Sequence, residues 1–197
     1  GSSAFTLGDV ASTATLAPST AILNPSDKST LSTGGGSTNS SSTTLTTSID
    51  NVVGTSGNDT FNAALSAGAD TFTSLDAIDG GAGNDTLNIV SLGGALTTAI
   101  GSTVTNVETV NLISAAAITA ADISTWTGVQ TLKVTSALAI SGVKASSTTD
   151  ITVTNALDAV TVDKGNNVTI AHTSTTASNV TATATAGALD ITSSIGN

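Results

Sequence analysis

Two short stretches hold the residues best suited to chemistry. They are Gly54-Thr55-Ser56-Gly57-Asn58-Asp59-Thr60-Phe61-Asn62 and Gly80-Gly81-Ala82-Gly83-Asn84-Asp85-Thr86-Leu87-Asn88. They share glycines, asparagines, an aspartate and a threonine, and Phe61 and Leu87 form a conservative pair. Six acids and no lysine fall between Asp50 and Asp85, in a chain where only 9% of residues are charged. Acids without basic partners point to a divalent cation. Ca²⁺ takes six to eight oxygens at about 2.3–2.6 Å. Glycines let a turn fold so tightly that successive backbone carbonyls point at one spot. The aspartate adds a formal negative charge, and the apolar residue two places later anchors the next strand. The plainer reading of the same residues is a pair of glycine turns in which each aspartate caps its own backbone.

Strands must position these turns. Val107, Val110 and Leu112 in 104–114 align with Val129, Leu132 and Val134 in 126–136, an offset that is a solenoid period. Segments 149–156, 158–165, 166–173, 179–186 and 188–194 follow at about ten-residue spacing, as two strands per coil would. Within each, apolar residues alternate with Thr, Asp or Asn, so one face packs inward. Such coils bury small side chains only against neighbouring coils, which explains a chain with 2% aromatic residues and no methionine. The expected fold is all-β, a right-handed parallel β-solenoid or β-roll with short helical excursions. One excursion is expected at 115–125, with Thr119 as N-cap and Asp122 at the third position. Residues 63–78 read as a short helix or an excursion loop.

Three regions are expected. Residues 1–48 are a Ser/Thr/Gly-rich extension or linker, with room for one or two edge strands before the Gly-rich 32–44. Residues 49–90 hold the cation-binding turns, and 91–197 the solenoid repeats. The chain opens Gly1-Ser2 without methionine, as a fragment or processed product would.

Composition narrows the function. A net charge of −10, with four lysines and no arginine, repels phosphate backbones and disfavours nucleic acid. No run approaches twenty apolar residues, so no transmembrane helix is expected. Without cysteine, and with one histidine, tetrahedral zinc is implausible. His172 reads as an ordinary strand residue, Glu108 as solvent-facing and Trp126 as a cover over one end of a core. Asp76 and Asp79 could pair as glycosidase carboxylates, but metal ligation or turn capping suits them better. The chain does not read as an enzyme.

The nonapeptides resemble those of the repeats-in-toxin (RTX) family, G-G-x-G-x-D-x-U-x with U large and apolar. The stretches 45–63, 75–89 and 104–112 are similar to the Caulobacter-type surface-layer (S-layer) proteins of Gram-negative bacteria exported by type I secretion. The pattern differs in having two copies, 26 residues apart, with Thr55 in place of the second glycine. The resemblance implies Asp59 and Asp85 as carboxylate ligands of Ca²⁺, with carbonyls from Gly54, Ser56, Gly57, Gly80, Gly81, Ala82 and Gly83. Asp70, Asp76 and Asp79, which lie between the motifs, are candidates to complete a site. It also implies an extracellular, cell-surface location and calcium-dependent self-assembly into a homo-oligomeric sheet or filament, with cell-surface polysaccharide as a further partner. Alternatives are a calcium-dependent adhesin and a non-catalytic RTX region of a secreted protein.

Overall fold

The computed structural model describes residues 39–195 except 67, 99–100, 156–157, 175–178 and 184. The expected strands before residue 39 lie outside the described residues. The chain winds as a parallel β-solenoid. Its main face is an eight-stranded parallel sheet of β1 (Ser42–Thr44), β3 (Thr60–Leu65), β5 (Thr86–Ser91), β7 (Thr109–Ser114), β9 (Thr131–Ser136), β11 (Asp150–Asn155), β13 (Val168–Ser174) and β15 (Leu189–Ile195). The second face is β2 (Asn51–Val53), β4 (Ala77–Asp79) and β6 (Thr103–Thr105). The third is β8 (Ile118–Thr119), β10 (Ile140–Lys144), β12 (Val160–Lys164) and β14 (Val180–Ala182).

Alternation places the core. Phe61, Leu87, Val110, Leu132, Ile151 and Val168 stack in one inward column, and Ile89, Leu112, Val134, Val153 and Ile170 in the next. All are buried. Each contributes about 1.5–3 kcal/mol if fully withdrawn from water, but only while the neighbouring coil is present to cover it. The 22-residue alignment is realised directly, because Val110 pairs with Leu132 and Leu112 with Val134. On the outer surface Asn88 Nδ2 donates to Asn62 Oδ1 (2.9 Å) and Asn111 Nδ2 to Asn88 Oδ1 (2.7 Å). These amides tie successive coils together in the way stacked amide ladders do in fibrils.

The first described coil starts inside the stretch read as a linker, since Ser42–Thr44 pair with Thr60–Asn62. The main sheet crosses residue 90 without a break. There is no helix among the described residues, and hence none long and apolar enough to cross a membrane. The helix expected at 115–125 is replaced by β8. Ile118 bridges Leu96 on one side and Ile140 on the other. Ala120 sits at φ 60°, which a right-handed helix cannot contain. Alanine-rich propensity yields here to pairing with two neighbouring coils. Residues 63–65 complete β3, and the described part of 66–76 is an irregular loop that folds back through Thr71 onto Ala64 (2.8 Å).

Candidate metal centre

The two glycine turns, 26 residues apart in sequence, sit on adjacent coils at the same corner. Before the turns, Val53 pairs with Asp79; after them, Thr60 pairs with Thr86. The Gly54 N–H donates to the Asp79 carbonyl (2.7 Å), Ala82 N–H to the Thr55 carbonyl (3.2 Å) and Asn84 N–H to Asn58 Oδ1 (2.9 Å). Such close stacking requires glycine. A Cβ on Gly54 would lie 2.0 Å from the Gly80 carbonyl oxygen, and one on Gly80 would lie 1.8 Å from that of Asn106. Ser56 and Gly57, with Ala82 and Gly83, form the outer bends of the two turns.

The aspartates form rungs of a ladder just ahead of the main sheet. Ser41 N–H donates to Asp59 Oδ1 (2.6 Å), Asp59 N–H to Asp85 Oδ1 (2.7 Å) and Asp85 N–H to Glu108 Oε2 (2.7 Å). Each carboxylate therefore clamps the coil before it. Asp59 and Asp85 are each 1% exposed. Glu108, expected to face solvent, is instead half-buried and supplies the third rung. A sequence signal for it exists: Asp59-Thr60, Asp85-Thr86 and Glu108-Thr109 are each an acid followed by a threonine, and Gln130-Thr131 continues the series without the charge.

The two aspartates differ in what satisfies them. Asp59 Oδ2 accepts from the Thr55 N–H (2.5 Å) and the Thr55 hydroxyl (3.0 Å). Burial opposes its ionisation, but the bonds from Thr55 and Ser41 outweigh this and hold the carboxyl below its ordinary value. At the equivalent place in the second turn stands Gly81, which has no hydroxyl and whose N–H goes to Asp79 Oδ1 (3.1 Å). Asp85 Oδ2 is left buried without a hydrogen-bond partner, the one such side-chain oxygen or nitrogen among the described residues. Burial pushes the Asp85 carboxyl up to about 6, and the charges of Glu108, Asp59 and Asp79 add to the rise; the Asp59 N–H bond opposes it. Gly80 lies alongside this oxygen, as Gly54 lies alongside Asp59 Oδ2. A Cβ on Gly80 would be 2.5 Å from Asp85 Oδ2, so the Asn106 carbonyl oxygen and this carboxylate oxygen converge on one spot.

The other acids divide. Asp79 belongs to the corner, and its Oδ1 also accepts from Asn106 Nδ2 (2.8 Å). Asp76 lies at the opposite end of β4, where it accepts from Thr73 N–H (2.6 Å) and Asp50 N–H (2.9 Å). Asp70 accepts from Ser66 N–H (2.8 Å) in the loop after β3. The structure thus gathers Asp59, Asp79, Asp85 and the glycines, and places Asp70 and Asp76 elsewhere. His172 is buried in β13, with Nε2 2.8 Å from the Asp158 carbonyl oxygen and Nδ1 3.2 Å from Ser193 Oγ. Trp126 is buried edge-to-face against Phe72 at 5.7 Å.

The second turn offers a hard cation what it selects, namely oxygen donors only, one of them an unsatisfied buried carboxylate oxygen. Among the described residues no three His, Asp or Glu side chains are grouped to hold a metal. A cation here would draw the rest of its oxygens from backbone carbonyls and water. No family model matches the chain, and no curated protein matches it.

Proposed function

We propose that this chain is a structural segment of an extracellular, calcium-dependent surface layer or filament, with the second glycine turn as the seat of the ion. The observation that carries the reading is the buried, unpartnered Asp85 Oδ2 beside a converging carbonyl, on a corner where three carboxylates stack. Stacked carboxylates repel one another when the coils are brought together, and burial makes that repulsion stronger than it would be in water. Calcium bound there would supply two positive charges opposite that row. Asp85 Oδ2 and the Asn106 carbonyl would face it, with Asp79 and Glu108 close enough to add charge. Asp59 would remain the clamp between the first two coils.

The chain's own residues then account for a fold switch. Where calcium is scarce, the acidic corner resists stacking and the chain stays extended enough for export. Where calcium is abundant, its binding free energy becomes folding free energy. The regular outer face with its asparagine ladder, and the strand edges that end the sheets among the described residues, are surfaces suited to contacts between copies. Melting followed by circular dichroism, in millimolar calcium and in chelator, tests the reading. Cooperative loss of strand signal is expected at a midpoint at least 10 °C higher with calcium. Identical melting in both, with no particles or lattice seen by electron microscopy after calcium addition, would sink it.

A further inference from the structure

One peptide bond of the second turn has a covalent chemistry of its own, and it stands apart from the calcium reading. Asp79-Gly80 is the one place in this chain where an aspartate or asparagine precedes glycine. Attack by the following backbone nitrogen on an aspartate side-chain carboxyl closes a five-membered imide ring. Glycine leaves that approach open, because it has no Cβ to crowd the nitrogen and reaches the dihedrals the ring requires. The acids of the neighbouring rungs, Asp59 and Asp85, are each followed by a branched threonine, which hinders the same attack.

Two demands of the corner force this labile pair on the sequence. Gly80 admits no side chain, since a Cβ there would lie 1.8 Å from the Asn106 carbonyl oxygen. Asp79 Oδ1 accepts from the Gly81 N–H (3.1 Å) and from Asn106 Nδ2 (2.8 Å), and so ties the turn to the coil after it. The positions that pair with Asp79 in the neighbouring coils are Val53 and Thr105, which carry no carboxyl.

The stacked coils hold the Asp79-Gly80 peptide unit from both sides. Its carbonyl accepts from the Gly54 N–H of the coil before (2.7 Å), and its N–H donates to the Thr105 carbonyl of the coil after (2.9 Å). Gly80 is buried and Asp79 half-buried. Ring closure requires the nitrogen to give up its proton and turn toward the Asp79 Cγ. In the folded chain that proton is engaged by Thr105, the carboxyl is anchored by Gly81 and Asn106, and β4 keeps the unit extended.

We infer that Asp79-Gly80 is a self-modification site, guarded by the stacking of the coils on either side of it. With the corner unstacked, the Gly80 nitrogen bonds to the Asp79 Cγ, and its proton leaves with the carboxyl hydroxyl as water. Water then adds to the former backbone carbonyl of the imide and breaks its bond to that nitrogen. The chain now runs through the side-chain carbon, and the old carbonyl becomes a free carboxylate. One water leaves and one enters, so mass is conserved and no other reactant is needed. The isoaspartyl product has one extra carbon in the backbone and no side-chain carboxylate. Gly80 then cannot meet Asn106 while Asp79 stays paired with Val53 and Thr105. The site limits how long the chain can wait before its coils stack.

The test is ageing of the full chain at neutral pH, with calcium throughout, in native buffer and in enough urea to abolish the strand signal. Isoaspartate is mapped by fragmentation mass spectrometry. It should accumulate at position 79 at least tenfold faster in urea than in native buffer, and in urea at least fivefold faster than at Asp59 or Asp85. Aged chains returned to native buffer should lose cooperative refolding in proportion to the isoaspartate they hold. Asp79→Glu, whose longer side chain would need a six-membered ring, should age in urea without an isomer at 79. Equal rates in the two buffers would overturn the inference. So would a rate at 79 no higher than at Asp59 and Asp85, or aged chains that refold to the parent midpoint with the isomer in place. Calcium is present in both arms, so the comparison reads stacking alone, whatever holds the ion.

Discussion

The first and second glycine turns have nearly the same sequence and the same place in the fold, yet they end in opposite electrostatic states. In the first, Thr55 completes Asp59 with an N–H and a hydroxyl. In the second, Gly81 sends its N–H to Asp79 and offers no hydroxyl, and Asp85 is left with a bare buried oxygen. One side chain decides whether the aspartate of the motif is satisfied within its own turn or keeps an unpartnered oxygen. The first turn matches the plainer reading, an aspartate capping its own loop. The second does not.

The largest effect expected from breaking this comparison comes from the feature both turns share. Gly80→Ala places a methyl 1.8 Å from the Asn106 carbonyl oxygen. It should cost about 3 kcal/mol or more, as overpacking against unyielding backbone does, and lower the melting midpoint by about 10 °C. An unchanged midpoint would mean that the coils do not stack at this corner.

The sharper contrast is between the two aspartates. Asp59→Ala removes the acceptor for Ser41 and Thr55, and should cost about 2–3 kcal/mol with or without calcium. Asp85→Asn should be neutral or slightly stabilising in chelator, because an amide N–H₂ can donate where the bare oxygen stood. In calcium the same substitution should lose most of the ion's stabilisation. The pH dependence in chelator should separate them again. The Asp85 carboxyl is raised in the folded state to about 6 from an ordinary 3.8, so its proton is held more tightly folded than unfolded. Its contribution is fully present below about pH 4 and is lost as pH rises through about 6. For Asp59 the shift is downward, so its contribution is present above pH 3.8 and lost on further acidification. Urea titrations from pH 3 to 7 should show the fall between pH 4 and 6 flattened in Asp85→Asn alone. Equal behaviour of the two variants would erase the distinction.

The smallest expected effect is Thr55→Ser. It keeps both the N–H and the hydroxyl, and should stay within about 0.5 kcal/mol of the parent. A larger loss would mean that the threonine methyl, not its hydrogen bonds, sets the first turn apart.

Much of this was legible before any fold was known. The alternation that puts Val110 on Leu132 and Leu112 on Val134 is a local pattern, and a strand's period of two leaves little freedom in which side faces the core. The glycine turns were legible because their residue types permit little else. Glu108 was signalled only by the acid–threonine pair it shares with Asp59-Thr60 and Asp85-Thr86, since nothing around it resembles a glycine turn; it becomes a rung because Thr109 stacks on Thr86. The missing helix at 115–125 shows the same limit. Its alanines favour a helix in isolation, but Ile118 is claimed by coils on both sides.

By itself, then, the sequence determined the repeat, the inward columns and the identity of the acidic turns, because each follows from neighbours a few residues apart. Tertiary structure alone decided which acids meet. Asp85 shares a corner with Glu108 and not with Asp70 because coil stacking brings together residues about one circuit apart, whatever loop lies between. The same stacking left Asp85 Oδ2 without a donor, a fact about one atom that depends on three coils at once.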